Sequence, residues 1–126
     1  MRRFVLLIAV LPSAALAQPF TVDQAMAVRG FADRVPLALS PDGALVAYTV
    51  SDPRRLAAAA SPQARYFTPT GVSGIMRGSD VLLTDVRERT TNSLGAPGAA
   101  WGPVWSPAGN RLAFYSDRDG RARIWL

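Results

Sequence analysis

LSPDGALVAY at residues 39–48 and WSPAGNRLAF at residues 105–114 align with each other without a gap. Each stretch contains Ser-Pro, has a glycine two residues after the proline, and then continues into an apolar run. Proline fixes φ at the first central position of a turn, and glycine accepts the left-handed conformation that lets a hairpin close. The repeat therefore predicts two equivalent hairpin turns, each followed by a β-strand.

The segments around these turns have the composition of strands. They are rich in β-branched, aromatic and other apolar residues, as expected for strands covered on both faces. A further turn, SDRDG at 116–120, leads into the last predicted strand. Residues 90–94 have the weakest strand signal and are the candidate for the outermost strand. The predicted strands cover residues 44–50, 80–86, 90–94, 111–116 and 121–126.

Four short antiparallel strands in each repeat indicate the blade of a β-propeller. The predicted fold class is all-β, an incomplete β-propeller of about two four-stranded antiparallel blades within residues 18–126. Blade one covers about residues 36–95, and blade two covers about residues 100–126 and is truncated inside its third strand. The copies start 66 residues apart, more than the roughly 40 to 50 residues of an ordinary blade.

The excess length lies in residues 51–79, which are rich in Ala, Gly, Pro and Ser. We interpret this stretch as a loop inserted between the second and third strands of blade one. Within it, RLAAAA at 55–60 favours a helical turn, because alanine and leucine are good helix formers.

Residues 1–17 have the three parts of a signal peptide. Arg2 and Arg3 supply the positive charge, FVLLIAVL at 4–11 supplies a short apolar core, and ALA at 15–17 offers a cleavage site before Gln18. The apolar core is far shorter than the roughly 20 residues that span a bilayer, so no stable membrane anchor is expected. The protein is predicted to be exported, periplasmic or secreted, and both general and twin-arginine export remain open.

A short helix is predicted between the signal peptide and the first blade. Thr21 and Gln24 are spaced as a capping box, which places a helix at about Val22 to Val28. Arg29 favours the negative end of this helix, and Gly30 is the expected left-handed stop. A helix of fewer than three turns is marginal by itself, so it is expected to pack on the chain that follows.

The charge and the residue types exclude several classes of function. All 14 basic residues are arginine, and histidine, cysteine and lysine are absent. Without Arg2 and Arg3, twelve arginines face nine acidic residues, a net charge of +3 that is too small and scattered to indicate nucleic-acid binding. No disulfide is possible, so packing alone must hold the fold together. No cofactor is expected, and no strong transition-metal site can form without histidine or cysteine.

No catalytic residue is predicted within this chain. A serine nucleophile needs a base and usually a G-x-S-x-G elbow, whereas GVSG at 71–74 has the wrong spacing, so Ser73 is interpreted as an ordinary loop serine. Asp117, Asp119 and Gly120 resemble the start of a calcium loop, but a hairpin turn explains them better, because the closing glutamate of such a loop would lie beyond Leu126.

Two further groups of residues have structural interpretations. Arg121 and Arg123 alternate along one predicted strand, which favours a solvated edge or pairing between blades over recognition of an acidic substrate. Five aromatic residues are expected to pack between blades rather than to form a ligand platform. They are Trp101, Trp105, Phe114, Tyr115 and Trp125.

The SPDG turns followed by (V/L)A(Y/F), and WSPxGxRLAFxSDRDGxxxIW at 105–125, resemble the propeller repeat of two groups of exported proteins. One is the prolyl oligopeptidase family of serine peptidases, family S9, and the other is the TolB periplasmic protein. The similarity covers residues 20–126. One departure is Ala108, where the repeat has aspartate, as at Asp42. This change is expected to remove one local hydrogen bond without preventing the turn.

The beginning of the chain is more similar to an S9 peptidase. TolB-like proteins resemble an α/β domain followed by a propeller, whereas only a short helix precedes blade one here. A helix followed by YFTPTG at 66–71 and GSDVLLTDV at 78–86 looks like an S9 beginning. In that family the propeller caps an α/β-hydrolase domain and restricts access to its Ser-Asp-His triad.

This resemblance implies a function through parts outside this sequence. The expected partners are further C-terminal blades, an α/β-hydrolase domain of the same protein, and peptide substrates. The propeller would admit peptides and exclude folded proteins. The alternative is a TolB-like, non-enzymatic propeller that binds protein partners, and the two hypotheses remain open at this stage.

Overall fold

The computed structural model describes residues 21–32, 37–58 and 66–126, so the predicted signal peptide lies outside the described residues. Strands dominate the described chain, which confirms the all-β class, and they form two antiparallel sheets. The elements in chain order are α1 (Val22–Ala27), β1 (Gly30–Phe31), β2 (Ala38–Leu39), β3 (Leu45–Ser51), α2 (Pro53–Ala58), a 3-10 turn (Gly74–Met76), β4 (Ser79–Asp85), β5 (Thr90–Ser93), β6 (Ala100–Trp105), β7 (Leu112–Ser116) and β8 (Arg123–Trp125).

Helix α1 starts as predicted but ends differently. The Thr21 hydroxyl accepts from Gln24 N and the Gln24 side chain accepts from Thr21 N, which confirms the capping box. The prediction of Gly30 as a left-handed stop is wrong. The helix ends at Ala27 and Val28 is already extended, because Gly30 is needed as a strand residue that pairs with Ser51.

The surroundings of α1 also differ from expectation. Arg29 does not serve the helix terminus but donates from Nε to Asp52, at 3.1 Å. All six helical residues are exposed, so no apolar face is buried. A contact with α2 is present, in which the Arg54 guanidinium donates to the Asp23 carbonyl at 2.8 Å.

The first sheet is built around the long β3–β4 pair. These strands pair over their whole length, from Leu45↔Asp85 to Ser51↔Ser79, and β5 adds to the far side of β4. Both β1 and β2 pair with the free edge of β3 and together act as one interrupted strand. The sheet therefore includes β1, which precedes the predicted start at residue 36.

The insertion between β3 and β4 is partly ordered into secondary structure. We call its described parts, residues 52–58 and 66–78, the strap. The predicted helical turn is present as α2, which begins at Pro53. Asp52 caps it, because its Oδ1 accepts from the N–H groups of Arg54 and Arg55, and proline suits the first helical position.

The second sheet has the order β6–β7–β8. Its register places Trp105 opposite Leu112, just as Leu39 lies opposite Val46 in the first sheet. A bulge between Trp101 and Val104 interrupts the β6–β7 ladder. The two sheets therefore share the order of strands that the repeat predicts, with β6, β7 and β8 corresponding to β2, β3 and β4.

The repeated turns are alike in their backbone geometry. Gly43 and Gly109 have φ values of +70° and +72°, which confirms the left-handed prediction. Gly43 N donates to the Ser40 carbonyl at 2.8 Å, and Gly109 N donates to the Ser106 carbonyl at 2.9 Å. The sequence repeat is thus a structural repeat at the level of single hydrogen bonds.

The side chains of the two turns differ as Ala108 predicts. In the first turn, Asp42 Oδ1 accepts from both the Ser40 hydroxyl and Ala44 N. In the second turn the Ser106 hydroxyl donates to Asn110 Oδ1 instead, at 3.1 Å. Asn110 thus takes over one of the two aspartate contacts.

The core lies where the two sheets pack face to face. Val81 from the first sheet and Ala100 and Phe114 from the second are buried together, with Leu94 and Trp125 against them. Such burial is the main source of stability for a chain without disulfides. Neither helix in the described ranges has the length and apolarity needed to cross a membrane.

Candidate functional site

The described residues contain no arrangement for nucleophilic catalysis. Ser73 lies in the strap, where its backbone forms an isolated bridge with Phe67 and its carbonyl accepts from Met76 N. The sequence has no histidine or lysine to remove its proton. Within the described ranges there is also no group of three or more His, Cys, Asp or Glu side chains that could hold a metal ion.

The SDRDG segment forms the predicted hairpin turn between β7 and β8. Gly120 has a φ of +92°, and its N–H donates to the Asp117 carbonyl at 2.8 Å. Asp119 forms an exposed ion pair with Arg123 at 3.0 Å. Arg121 precedes β8 rather than sharing a strand face with Arg123, so that prediction is wrong: the turn takes up the residues before Arg123.

The strap joins the two sheets through two carboxylates, Asp80 and Asp117, and the sequence pattern indicates neither of these contacts. Asp80, on β4, is 5% exposed and forms an ion pair with Arg55 at 3.7 Å. The Arg55 guanidinium also donates to the Gly98 carbonyl, which precedes the second sheet. Arg55 therefore connects the strap, the first sheet and the segment that leads into the second.

The second carboxylate is Asp117, beside β7. It accepts from the Thr70 hydroxyl of the strap at 2.5 Å and from Ala99 N at 2.6 Å. Ala122 N donates to the Thr70 carbonyl at 2.9 Å, close to the start of β8. Only the tertiary structure brings these residues together, because Thr70 and Asp117 are 47 residues apart.

A cleft of about 360 Å³ lies beneath the strap. Arg55 and Asp117 line it, and both are already engaged in the contacts described above. Polar groups that satisfy each other hold a fold in one arrangement. We therefore assign these residues to the connection between the sheets.

Two aspartates that flank β3 have lowered pKa values. The Ser40 hydroxyl and then the Ala44 N–H hold the pKa of Asp42 below its usual value. Burial alone would raise the pKa of Asp52, but the N–H groups of Arg54 and Arg55 and the Arg29 guanidinium outweigh it and lower the pKa. Both groups are therefore carboxylates at neutral pH with structural partners, not proton donors for a reaction.

The five aromatic residues divide into two groups. Phe114 and Trp125 pack between the sheets, and Trp105 Nε1 donates across the interface to the Ala38 carbonyl at 3.0 Å. These three therefore lie at the interface between the two sheets. Trp101 and Tyr115 instead stack on each other on the other side of the second sheet, with ring centroids 5.5 Å apart.

That other side carries apolar and aromatic side chains that adjoin one another across the strands. The register places Trp101 beside Tyr115 and Tyr115 beside Ile124, and Val104 pairs with Ala113 on the same face. Tyr115 is 45% exposed, and Val104 and Ile124 are each 61% exposed. We call the face formed by Trp101, Val104, Ala113, Tyr115 and Ile124 the outer face. Exposed apolar side chains that adjoin one another on one sheet face make this face the candidate interaction surface.

Comparisons of the chain with models of known protein families, with curated proteins and with solved structures found no match. The candidate site is therefore defined by geometry: an apolar outer face on the second sheet, held to the first sheet by a packed core and the strap.

Proposed function

We propose that the two sheets are the first two blades of a β-propeller. Three features support the proposal: the shared strand order, the equivalent hydrogen bonds of the two turns, and the face-to-face packing of the sheets. In this arrangement β1 and β2 form the innermost strand of blade one, and β6 forms that of blade two.

The outer face is the observation that carries the proposal. With the 66-residue offset, Ala113 and Tyr115 of the second sheet correspond to Ala47 and Thr49 of the first. Ala47 is fully buried and Thr49 is 1% exposed, because the second sheet covers them. The outer face is thus equivalent to a surface that is already covered by a following sheet, and a third blade would cover it in the same way.

We further propose that this propeller belongs to an exported S9 serine peptidase. Its role would be to restrict access to a catalytic domain outside this sequence, so that peptides enter and folded proteins do not. The repeat motif at residues 105–125, which resembles that family, supports this proposal. A filter also requires walls that keep one arrangement, and the contacts of the strap and the packed core connect the two sheets.

The DNA downstream of the codon for Leu126 tests this proposal. We expect the reading frame to continue, or to resume after a disruption, and to encode further Ser-Pro-Asp-Gly repeats. A G-x-S-x-G elbow with the serine nucleophile should follow, and then the aspartate and the histidine of the triad in that order. If the repeats finish and the frame ends without an elbow serine and a later histidine, the peptidase proposal fails. The TolB-like binding propeller would then take its place.

A further inference from the structure

A second groove lies along the interface between the sheets, and its lining residues differ from those of the cleft beneath the strap. It has a volume of about 550 Å³ and runs between the β4–β5 side of the first sheet and the β7–β8 side of the second. Its apolar lining includes Leu83, Leu94, Leu112 and Phe114. We call it the Arg118 groove, because Arg118 is one of its lining residues.

The lining of the Arg118 groove is positively charged. Arg111 and Arg118 both line it, and none of the lining side chains is acidic. The Arg118 guanidinium lies over the ring of Trp125, 4.3 Å from the centroid, and over Phe114, at 5.1 Å. The guanidinium therefore makes cation–π contacts with both rings on the apolar side of the groove.

Arg118 lacks an anionic partner within the described part of the chain. Its Nε is buried with no hydrogen-bond acceptor, and the ion pairs found among the described residues do not include it. A cation that is partly withdrawn from water is stabilised most by a carboxylate, which accepts from two guanidinium nitrogens at once. The complementary group is therefore an anion that enters along the groove.

The backbone beside the groove indicates the shape of the occupant. In the first sheet, β5 extends the sheet beyond β4, whereas in the second sheet β8 is the edge strand. An edge strand presents unpaired N–H and C=O groups that accept one more strand. A strand added to β8 would cover the Arg118 groove with every second side chain.

We propose that the Arg118 groove receives an extended peptide strand that pairs with β8 and places a carboxylate against the Arg118 guanidinium. This inference rests on the proposed propeller, in which that strand is the outermost strand of blade two. It deepens the proposal by specifying the chemistry of the strand. Apolar side chains flank one acidic residue on the face that enters the groove.

Synthetic strands added to the full chain test this inference. One probe is the capped peptide Thr-Val-Thr-Glu-Thr-Val-Thr, in which the valines and the glutamate share one face. The second probe has glutamine in place of glutamate. In titration calorimetry at low salt, the glutamate peptide is expected to bind about tenfold more tightly, as one charge-assisted contact provides.

Three variants locate the contact. Arg118→Gln is expected to abolish the preference for the glutamate peptide over the glutamine peptide. Arg118→Lys keeps the positive charge and is expected to retain most of this preference, so it also controls for damage to the fold. Arg121→Gln removes the same charge from an exposed residue that does not line the groove, so its preference is expected to be unchanged.

Several results would overturn the inference. They are a failure of both peptides to bind, equal binding of the two peptides to the unaltered chain, or equal effects of Arg118→Gln and Arg121→Gln. Each of these results leaves the equivalence of the two sheets intact, because that rests on the turns and the outer face. The propeller proposal fails separately, through the downstream sequence.

Discussion

Gly43 and Gly109 occupy equivalent left-handed positions, but their surroundings differ. A Cβ on Gly43 would have open space around it, whereas one on Gly109 would lie 3.0 Å from Pro41. A substitution at Gly43 therefore measures the free-energy cost of the left-handed backbone conformation without that of a steric clash. The equivalence of these two turns could be predicted from sequence, because proline and glycine act locally on φ.

Replacement of Gly43 by valine is predicted to lower the free energy of unfolding by about 1 to 3 kcal/mol, since a β-branched residue is forced to a φ of +70°. Ala44→Val is the matched control, because the next residue leads into β3 and tolerates a β-branched side chain. Urea unfolding of both variants measures the difference. Equal losses at the two positions would refute the turn assignment.

The lowered pKa of Asp52 predicts an acid-sensitive fold. Its pKa is lower in the folded chain than the roughly 3.9 of an unfolded aspartate. The carboxylate therefore contributes its stabilisation above about pH 4, and this is lost as the pH falls through the lower folded pKa. Asp42 adds to the same window, because its pKa is also lowered.

Asp52→Asn tests this dependence, because asparagine still caps a helix but cannot titrate. We expect the urea midpoint of the unaltered chain to fall between pH 5 and pH 2.5 by more than that of the variant. The comparison is made at matched ionic strength. The assignment is wrong if both proteins lose the same amount of stability on acidification.

At the scale of elements, the predicted and observed strand bounds agree best where a long apolar run in the sequence is sufficient to define the strand. The long strands β3, β4 and β7 follow the apolar runs that predict them, within one or two residues. The two-residue strands β1 and β2 have no such signal, since each exists only because β3 offers it an edge. The start of the first sheet at Gly30 could therefore not be predicted.

The strap shows the same limit for side chains. Its helix follows from composition, but the contact of Arg55 with Asp80 depends on how the insertion folds back over two sheets. A short-range sequence pattern does not predict a contact between residues that are distant along the chain. The outer face, likewise, can be identified only when the register of β6, β7 and β8 is known. For the candidate site, the sequence predicts that its aromatic residues pack, but it does not predict which face of the sheet each of them occupies.

Arg55→Gln is predicted to cost about 1 to 2 kcal/mol of unfolding free energy. The loss of one partner leaves the buried Asp80 carboxylate without a counter-charge. The cost stays below that of a fully broken buried pair, because Asp80 still accepts from the Ser93 hydroxyl and Gly95 N. Urea unfolding measures the change.

Arg54→Gln is the matched control for this experiment. Arg54 is the neighbouring residue of α2 and is exposed, and its guanidinium contacts only the carbonyl of Asp23 among the described residues. We expect a loss of less than about 0.5 kcal/mol, as for other surface substitutions. Equal losses for the two arginine variants would show that the strap contact does not stabilise the connection between the sheets.

At the scale of the whole molecule, the two sheets share a core, and the apolar side chains of the outer face are partly exposed. The core between the sheets is small, with Val81, Ala100 and Phe114 as its buried centre. Repeat architectures generally need at least about three units for stability. The outer face is therefore expected to drive association until another surface covers it.

The state of association of the purified chain tests the central claim that the outer face is an interface. Light scattering after gel filtration is predicted to show oligomers for the unaltered chain. Ile124→Lys, which adds a charge to the outer face, is predicted to shift the population toward monomer. Thr91→Lys, on the exposed strand β5, adds the same charge elsewhere and is expected to leave association unchanged. A monomeric unaltered chain with a sharp, cooperative thermal transition would contradict the claim.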